Sequence, residues 1–286
     1  MTKSKITETT ELKKIASQVR RDILRMVHGA QNGHPGGALG CADLFVSLYF
    51  KYMNHSHSPF HMEGHHEDLF FLSNGHICAA WYSTLARYGY FSIQELATHR
   101  KINSRLQGHP TPKEHLPGIR MASGSLGQGL SVAIGAAQAK KLNNDNGLVY
   151  CLMGDGELQE GQIWEAAMYA SHHKVDNLIG IIDYNGQQID GTTEHVLSLG
   201  NLEDKWNSFG WIVDKCNGNN YEDLHACLDR CIENRGKKKP IIIIMKTTMG
   251  AGVDFMEGNH KWHGCAPNDE QLKLALMQLE ETLGDY

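Results

Sequence analysis

The sequence predicts an α/β fold in which a mostly parallel central sheet carries helices on both faces. Short apolar runs of strand length recur along the chain, and three of them are dominated by Ile, Leu and Val: Leu148–Met153, Leu178–Asp183 and Pro240–Lys246. Unbroken apolar runs are typical of parallel strands that are buried on both faces. Segments with helical spacing separate these runs, so strands and helices alternate, as they do in parallel α/β sheets.

The other elements are predicted from the same two periodicities. Apolar residues at helical spacing predict a first helix, Thr9–Ala30, that packs one face against the core. Further helices are predicted at Cys41–Tyr52, Ile77–Tyr88, Leu130–Leu142, Gln159–Lys174, Tyr221–Asn234 and Asn268–Leu283. Short strands are predicted at Leu69–Ser73 and Trp211–Asp214, and residues 100–125, rich in Gly and Pro, are predicted to form an ordered binding loop.

Composition describes an ordinary globular chain. It has 286 residues, of which 41% are hydrophobic and 21% charged, and a formal net charge of -5. With no internal repeat and no linker-like stretch, residues 1–286 are predicted to form one domain. The slight acidic excess gives no reason to expect binding to nucleic acid or an anionic membrane. The first ten residues are polar and no apolar run approaches the roughly 20 residues of a membrane span, so a cytoplasmic location is expected.

The seven cysteines are odd in number, scattered, and never in C-x-x-C spacing. This usage predicts reduced and mostly buried thiols rather than a disulfide framework. Cys227 and Cys231 lie four residues apart on a predicted helix and could meet there. For that pair, packing in the core is favoured over metal binding.

Histidines are concentrated in two predicted loops. The first, residues 31–37, surrounds His34 with three glycines and a proline. Ordering so many glycines costs backbone entropy, which favours a binding loop, although a lone loop histidine is usually surface decoration. The second loop carries His55, His57, His61, His65 and His66. Their spacing fits no ordered metal pattern, so a solvated loop that binds nickel or zinc only adventitiously is predicted.

The most informative stretch runs from residue 148 to residue 191. A predicted strand ends in the turn Gly154-Asp155-Gly156, a helix follows, and a second strand ends at Asn185. In a parallel sheet these two strand ends lie at the same edge, so the oxygens of Asp155 and Asn185 can converge. A hard divalent cation that bridges them to a diphosphate is the expected occupant, with the free N–H groups of the turn facing the anion.

The segments GDGELQEGQIWEA and DNLIGIIDYNGQQIDG together resemble the thiamine-diphosphate motif in its transketolase form, and the resemblance extends over nearly the whole chain. It implies the thiamine-diphosphate-binding fold, with Mg²⁺ (or Ca²⁺ or Mn²⁺ in its place) held by Asp155, Asn185 and the carbonyl of Gln187. The resemblance further implies contacts to the cofactor from these residues: His76, Gly124, Leu126, Gly154, Asp155, Gly156, Asn185 and His263.

The same resemblance assigns catalytic roles. His34 matches the histidine of a GHPGG loop, His109 that of a GHP loop and His263 that of the KTTxGxG…HG loop, all of which face the substrate in transketolases. Glu160 and Glu165 match glutamates at a dimer interface that relay protons between paired active sites. From the sequence alone, these two carboxylates could equally form a charged helix face.

The resemblance implies transfer of a two-carbon ketol unit from a ketose to an aldose. In the family a second, pyrimidine-binding domain supplies further catalytic groups, and no segment of this chain matches it. A partner carrying that domain, in an α2β2 assembly, is therefore expected. Two alternatives remain at this point: the α subunit of a 2-oxo acid dehydrogenase, and a non-catalytic assembly subunit. The sequence does not determine the donor and acceptor sugars.

Overall fold

The computed structural model describes residues 4–286 and contains a five-stranded parallel sheet. Its strands are β1 (Leu69–Leu72), β2 (Val149–Gly154), β3 (Leu178–Tyr184), β6 (Ile212–Asn217) and β7 (Ile241–Lys246), in the order β1-β2-β3-β7-β6. Two very short strands, β4 (Gln187–Gln188) and β5 (Gly191–Thr192), form a separate antiparallel pair. The predicted parallel sheet is confirmed.

Helices cover both faces of the sheet, as predicted. They are α1 (Thr9–Ala30), α2 (Pro35–Ser47), α3 (Cys78–Tyr88), α4 (Gln128–Leu142), α5 (Gly161–His172), α6 (Thr193–Leu197), α7 (Leu202–Ser208), α8 (Tyr221–Glu233) and α9 (Asp269–Gln278). One apolar core lies between the sheet and α1, α2, α3 and α8, and the other lies between the sheet and α4, α5 and α7.

Three predicted helix boundaries were wrong. Helix α2 begins at Pro35, not at Cys41, because proline lacks only an N–H that the first helical turn leaves unpaired anyway. Helix α5 begins at Gly161, since a 3₁₀ turn over Gly156–Gln159 precedes it. Helix α9 ends at Gln278, where the backbone becomes extended, and not at Leu283.

The strand register brings the functional loops to one edge of the sheet. Leu72 of β1 lies beside Leu152 of β2, and Gly154 of β2 lies beside Asp183 of β3. The loops that follow β1, β2 and β3 therefore leave the sheet at neighbouring points. In parallel α/β sheets, ligands bind in the crevice that such loops form.

The predicted solvated loop was wrong for His55, which is only 2% exposed. Its Nε2 lies 2.9 Å from the backbone oxygen of Tyr49, which can only accept, so Nε2–H donates. Nδ1 then accepts from the hydroxyl of Tyr90 at 2.6 Å. Burial lowers the pKa of His55 to about 4. The sequence showed a polar segment but not the tyrosines that enclose this ring.

His55 is therefore expected to make folding pH-dependent. Its pKa is about 4 in the folded chain and about 6.5 when unfolded. The stability linked to its neutral form is complete above the higher value and is lost as the pH falls toward the lower one. Urea unfolding at about pH 7.5 and about pH 5 should show about 2 kcal/mol of pH-dependent stability that H55Q lacks. Equal pH dependence in both proteins would contradict this account.

Six of the seven cysteines are buried and none forms a disulfide; Cys265 is exposed. The prediction of reduced, mostly buried thiols is confirmed. Within residues 4–286, no helix is both long enough and apolar enough to span a membrane.

Candidate active site

A cavity of about 440 Å³ opens at the carboxyl edge of the sheet, among the loops described above. It brings together every residue that the sequence assigned to the site except Glu165: His34, His76, His109, Gly124, Leu126, Gly154, Asp155, Gly156, Glu160, Asn185, Gln187 and His263. These residues come from widely separated parts of the chain. Their convergence is the central structural result for function.

Asp155 is the most perturbed carboxylate of this cavity. It is 2% exposed and accepts hydrogen bonds from the N–H groups of Gly156 (2.7 Å) and Gly186 (2.6 Å). Burial, followed by repulsion from the carboxylate of Asp183, raises the pKa of Asp155 to about 7. Two buried carboxylates near each other favour a bound cation, which would relieve both the desolvation and the repulsion.

Asn185 is oriented by its neighbours. Its Nδ2 donates to Oδ2 of Asp183 at 2.8 Å, and its Oδ1 accepts from the N–H of Gln187 at 2.9 Å. An amide oxygen has two lone pairs, so Oδ1 of Asn185 keeps one for a metal. The donor set predicted from the sequence is carboxylate, amide and carbonyl oxygen, which matches the preference of a hard divalent cation.

The cavity fits a polar ligand on two further observations. His34 Nδ1, His263 Nδ1 and Asn74 Oδ1 are buried and have no hydrogen-bond partner among the described residues, and all three residues line the cavity. A Cβ built on Gly154 would meet only Asn74, at 3.7 Å. Gly154 therefore leaves open space toward the ligand, and neither it nor Gly156 has a positive φ.

Four histidines form one wall of the cavity. The ring centroid of His34 lies 5.1 Å from that of His76, 5.5 Å from that of His263 and 6.4 Å from that of His109. Burial lowers the pKa of all four, and for His34, with added repulsion from His263 and Arg100, to about 4. The rings are therefore neutral near pH 7 and can accept or donate hydrogen bonds.

The turn that carries Gly124 and Leu126 packs directly on His109. Gly124 has φ +123°, and a Cβ at this position would lie 2.9 Å from the ring of His109. A side chain at residue 124 would therefore be strained and would displace the histidine. This close packing places the backbone of the turn in the wall of the cavity.

The two glutamates matched to a dimer interface are both exposed in the single chain. Glu160 lines the cavity, whereas Glu165 lies on α5 outside it. The predicted proton relay between them requires a second chain, so it remains a prediction.

Sequence reasoning missed Glu157, which connects three loops of the cavity. Its Oε1 accepts from the N–H of Gly127 at 2.7 Å and from the hydroxyl of Ser73, and its Oε2 accepts from the N–H of Gly154 at 3.1 Å. Ser73 in turn accepts from the N–H of Gly129 at 3.0 Å. Glu157 is 2% exposed, and burial raises its pKa. In the sequence it resembles any acidic residue near a helix start.

Replacing Glu157 with glutamine should loosen this cavity. Glutamine has one acceptor oxygen, so its amide group must face the N–H of Gly127 or that of Gly154. A buried donor left without a partner costs about 1–3 kcal/mol, and we expect a loss of that size in the free energy of unfolding, measured in urea. E165Q, on the exposed surface of α5, is the matched control and should change stability by less than about 0.5 kcal/mol. Equal stability of the two variants would contradict the role of Glu157.

The parallel sheet, the Gly154-Asp155-Gly156 turn and the convergent oxygen donors together define the diphosphate-binding half of a thiamine-diphosphate-dependent enzyme. The profile of the family described as "Transketolase, thiamine diphosphate binding domain" matches residues 12–282. The chain therefore belongs to the transketolase family, through its thiamine diphosphate-binding domain. This membership favours the transketolase interpretation over that of a 2-oxo acid dehydrogenase subunit.

Individual relatives agree with this assignment. The first of the two named subunits of an apulose-4-phosphate transketolase, from Phocaeicola vulgatus, is 41% identical over 276 residues, which cover 96% of this chain and 95% of that protein. The 6-deoxy-6-sulfo-D-fructose transketolase subunit SqwG of a Clostridium species is 37% identical over 272 residues, with 95% and 97% covered. The crystal structure of Campylobacter jejuni transketolase superposes with a TM-score of 0.87 at 33% identity, covering 96% of this chain but only 43% of that one.

Proposed function

We propose that the chain is the thiamine-diphosphate-binding subunit of a two-chain transketolase, which transfers a two-carbon ketol unit from a ketose to an aldose. The observation that carries the proposal is the convergence of the matched cofactor and catalytic residues in one cavity. The two relatives that are themselves named as subunits, matched over 95–97% of their length, support the division of the enzyme into two chains.

Mg²⁺ fits the oxygen donors Asp155, Asn185 and the carbonyl of Gln187, with the diphosphate of the cofactor as a further ligand. His76 and His263 are placed to donate hydrogen bonds to the diphosphate. When bound, thiamine diphosphate supplies the nucleophilic carbon and the electron sink that cleavage of a carbon–carbon bond beside a carbonyl requires.

The chain's own histidines orient the substrate. His34, His109 and His263 are neutral near pH 7, so each can accept a proton from a sugar hydroxyl or donate one to it. The rings of His34 and His263 are partly buried, which limits competition from water and strengthens their hydrogen bonds to the ketol group.

The outer face of α5 supports an interface with a second chain. Glu165, Met168 and Tyr169 occupy helical spacing on one exposed face, and Val132 is exposed on the neighbouring helix α4. Exposed apolar side chains grouped in this way mark interaction surfaces. We propose that a second copy of the chain covers this face and buries Glu160 and Glu165, within an α2β2 assembly that a cytoplasmic enzyme would form.

Co-purification from the source cells tests the proposal. Mass spectrometry should find an equimolar partner, and the pair should transfer ketol units when thiamine diphosphate and Mg²⁺ are present. The chain alone should be inert, and a pair assembled with a D155A chain should also be inert. Steady ketol transfer by the chain alone would contradict the two-chain proposal; an inert pair with every donor would favour a non-catalytic assembly role.

The substrate screen follows from the relatives. One is named for a sugar phosphate and the other for a sulfo-sugar, so both donors carry a terminal anion. We propose a ketose of this kind as the donor here. The assay should compare phosphate-bearing and sulfonate-bearing ketoses with their neutral counterparts, and a preference for a neutral ketose would exclude this substrate class.

A further inference from the structure

A cluster of thiols and one carboxylate lies between β6 and α8, at the edge of the sheet and outside the cavity described above. Asp214 and Cys216 are two residues apart on β6, so they point to the same face of the strand. Cys227 and Cys231 are four residues apart on α8 and share one face of the helix. The ligand atoms of Asp214, Cys227 and Cys231 all lie within 4.8 Å of one another.

Cys227 is the centre of this cluster. Its thiol donates to the carboxylate of Asp214 and interacts with the thiols of both Cys216 and Cys231. The three cysteines are buried. These contacts lower the pKa of Cys227, while hydrogen bonding to Cys227 and burial raise the pKa of its two neighbours. One thiol therefore loses its proton more readily than an ordinary buried cysteine.

Asp214 has room for one more ligand. Arg230 donates to Oδ1 at 2.8 Å and to Oδ2 at 2.9 Å, and the N–H of Lys215 donates to Oδ1 at 2.8 Å. A carboxylate has about four lone-pair sites, so one remains on Oδ2, in the region where the thiol of Cys227 lies. A metal ion would replace the thiol proton there, and the guanidinium of Arg230 would offset part of the negative charge of the ligands.

We propose that Asp214, Cys227 and Cys231, joined by Cys216 as the fourth ligand, bind one thiophilic divalent cation of the zinc type. Sulfur and oxygen ligands in a tetrahedral set are typical of Zn²⁺, with Zn–S distances of about 2.3 Å. Each ligating thiol releases its proton to solvent as the metal binds. Mg²⁺ prefers oxygen ligands, so this site is chemically distinct from the one at Asp155.

Titration of the reduced, full-length chain with Co²⁺, in excess Mg²⁺, tests the site directly. We expect one equivalent of Co²⁺ to bind with a sulfur-to-cobalt charge-transfer absorption that one equivalent of Zn²⁺ removes. In the double variant C227S/C231S the absorption should disappear and Zn²⁺ affinity should fall by at least about 100-fold. C265S, which changes the exposed cysteine, is the control and should behave as the unmodified chain does.

A second variant guards against misfolding of the first. D214N keeps all thiols and changes only a partly exposed side chain, so it should fold and lose about tenfold or more in Zn²⁺ affinity. No charge-transfer band in the folded chain, or a band that survives in C227S/C231S, would overturn the proposal and leave the cluster as core packing. Neither outcome bears on ketol transfer, because the readout does not use the enzyme's activity.

Discussion

Replacing Asp155 with alanine is expected to weaken binding of thiamine diphosphate, measured calorimetrically at fixed Mg²⁺, by at least about 100-fold. Loss of a residue that only orients a metal ligand costs 10–100-fold, and the loss of a charged ligand should cost more. The structure explains why no other group replaces it. Asp155 is buried at the end of β2 and fixed by the N–H groups of Gly156 and Gly186.

The matched control for this prediction is D190A. Asp190 is an exposed carboxylate on the loop after β3, a few residues beyond Asn185, so its removal changes charge in the same region without touching the cavity wall. D190A should bind the cofactor as the unmodified chain does, and far-ultraviolet circular dichroism should show both variants folded. Cofactor binding by D155A within about threefold of D190A would exclude Asp155 as a metal ligand.

Asp155 and Asn185 could be predicted from sequence because the argument needed only strand ends. Apolar runs locate the parallel strands, and parallel strands bring their carboxyl ends to one edge. The register of β2 and β3 bears this out. The four cavity histidines were different. They lie in irregular loops whose path no periodicity specifies, so only the family resemblance indicated them before the structure placed their rings together.

Glu157 and His55 mark the limit of sequence reasoning. Each is a polar residue in a segment that reads as solvent-exposed, and each is buried by partners far away in the chain. Glu157 accepts from Ser73 and Gly127, and His55 contacts Tyr90. Burial of a polar group requires such partners, and which loops supply them is a property of the whole fold. The predicted pairing of Glu160 and Glu165 depends in addition on a second chain.

His263 provides the second large effect. It lies 5.0 Å from His76 and 5.5 Å from His34 between ring centroids, and its Nδ1 is buried without a hydrogen-bond partner among the described residues. Burial lowers the pKa of His263, so the ring is neutral at neutral pH and ready to accept a proton. We expect H263A, in complex with the partner subunit, to lose about 10²–10⁴-fold in kcat, the usual contribution of a general acid or base.

A conservative variant separates proton transfer from simple contact. H263N can still donate a hydrogen bond to the diphosphate but cannot exchange a proton near pH 7, so it should keep cofactor affinity within about tenfold while kcat falls as in H263A. H260A is the control, since His260 lies on the same turn but does not line the cavity. If H263N restored kcat to nearly that of H260A, His263 would hold the cofactor in place rather than move protons, and proton transfer would rest on His34 and His109.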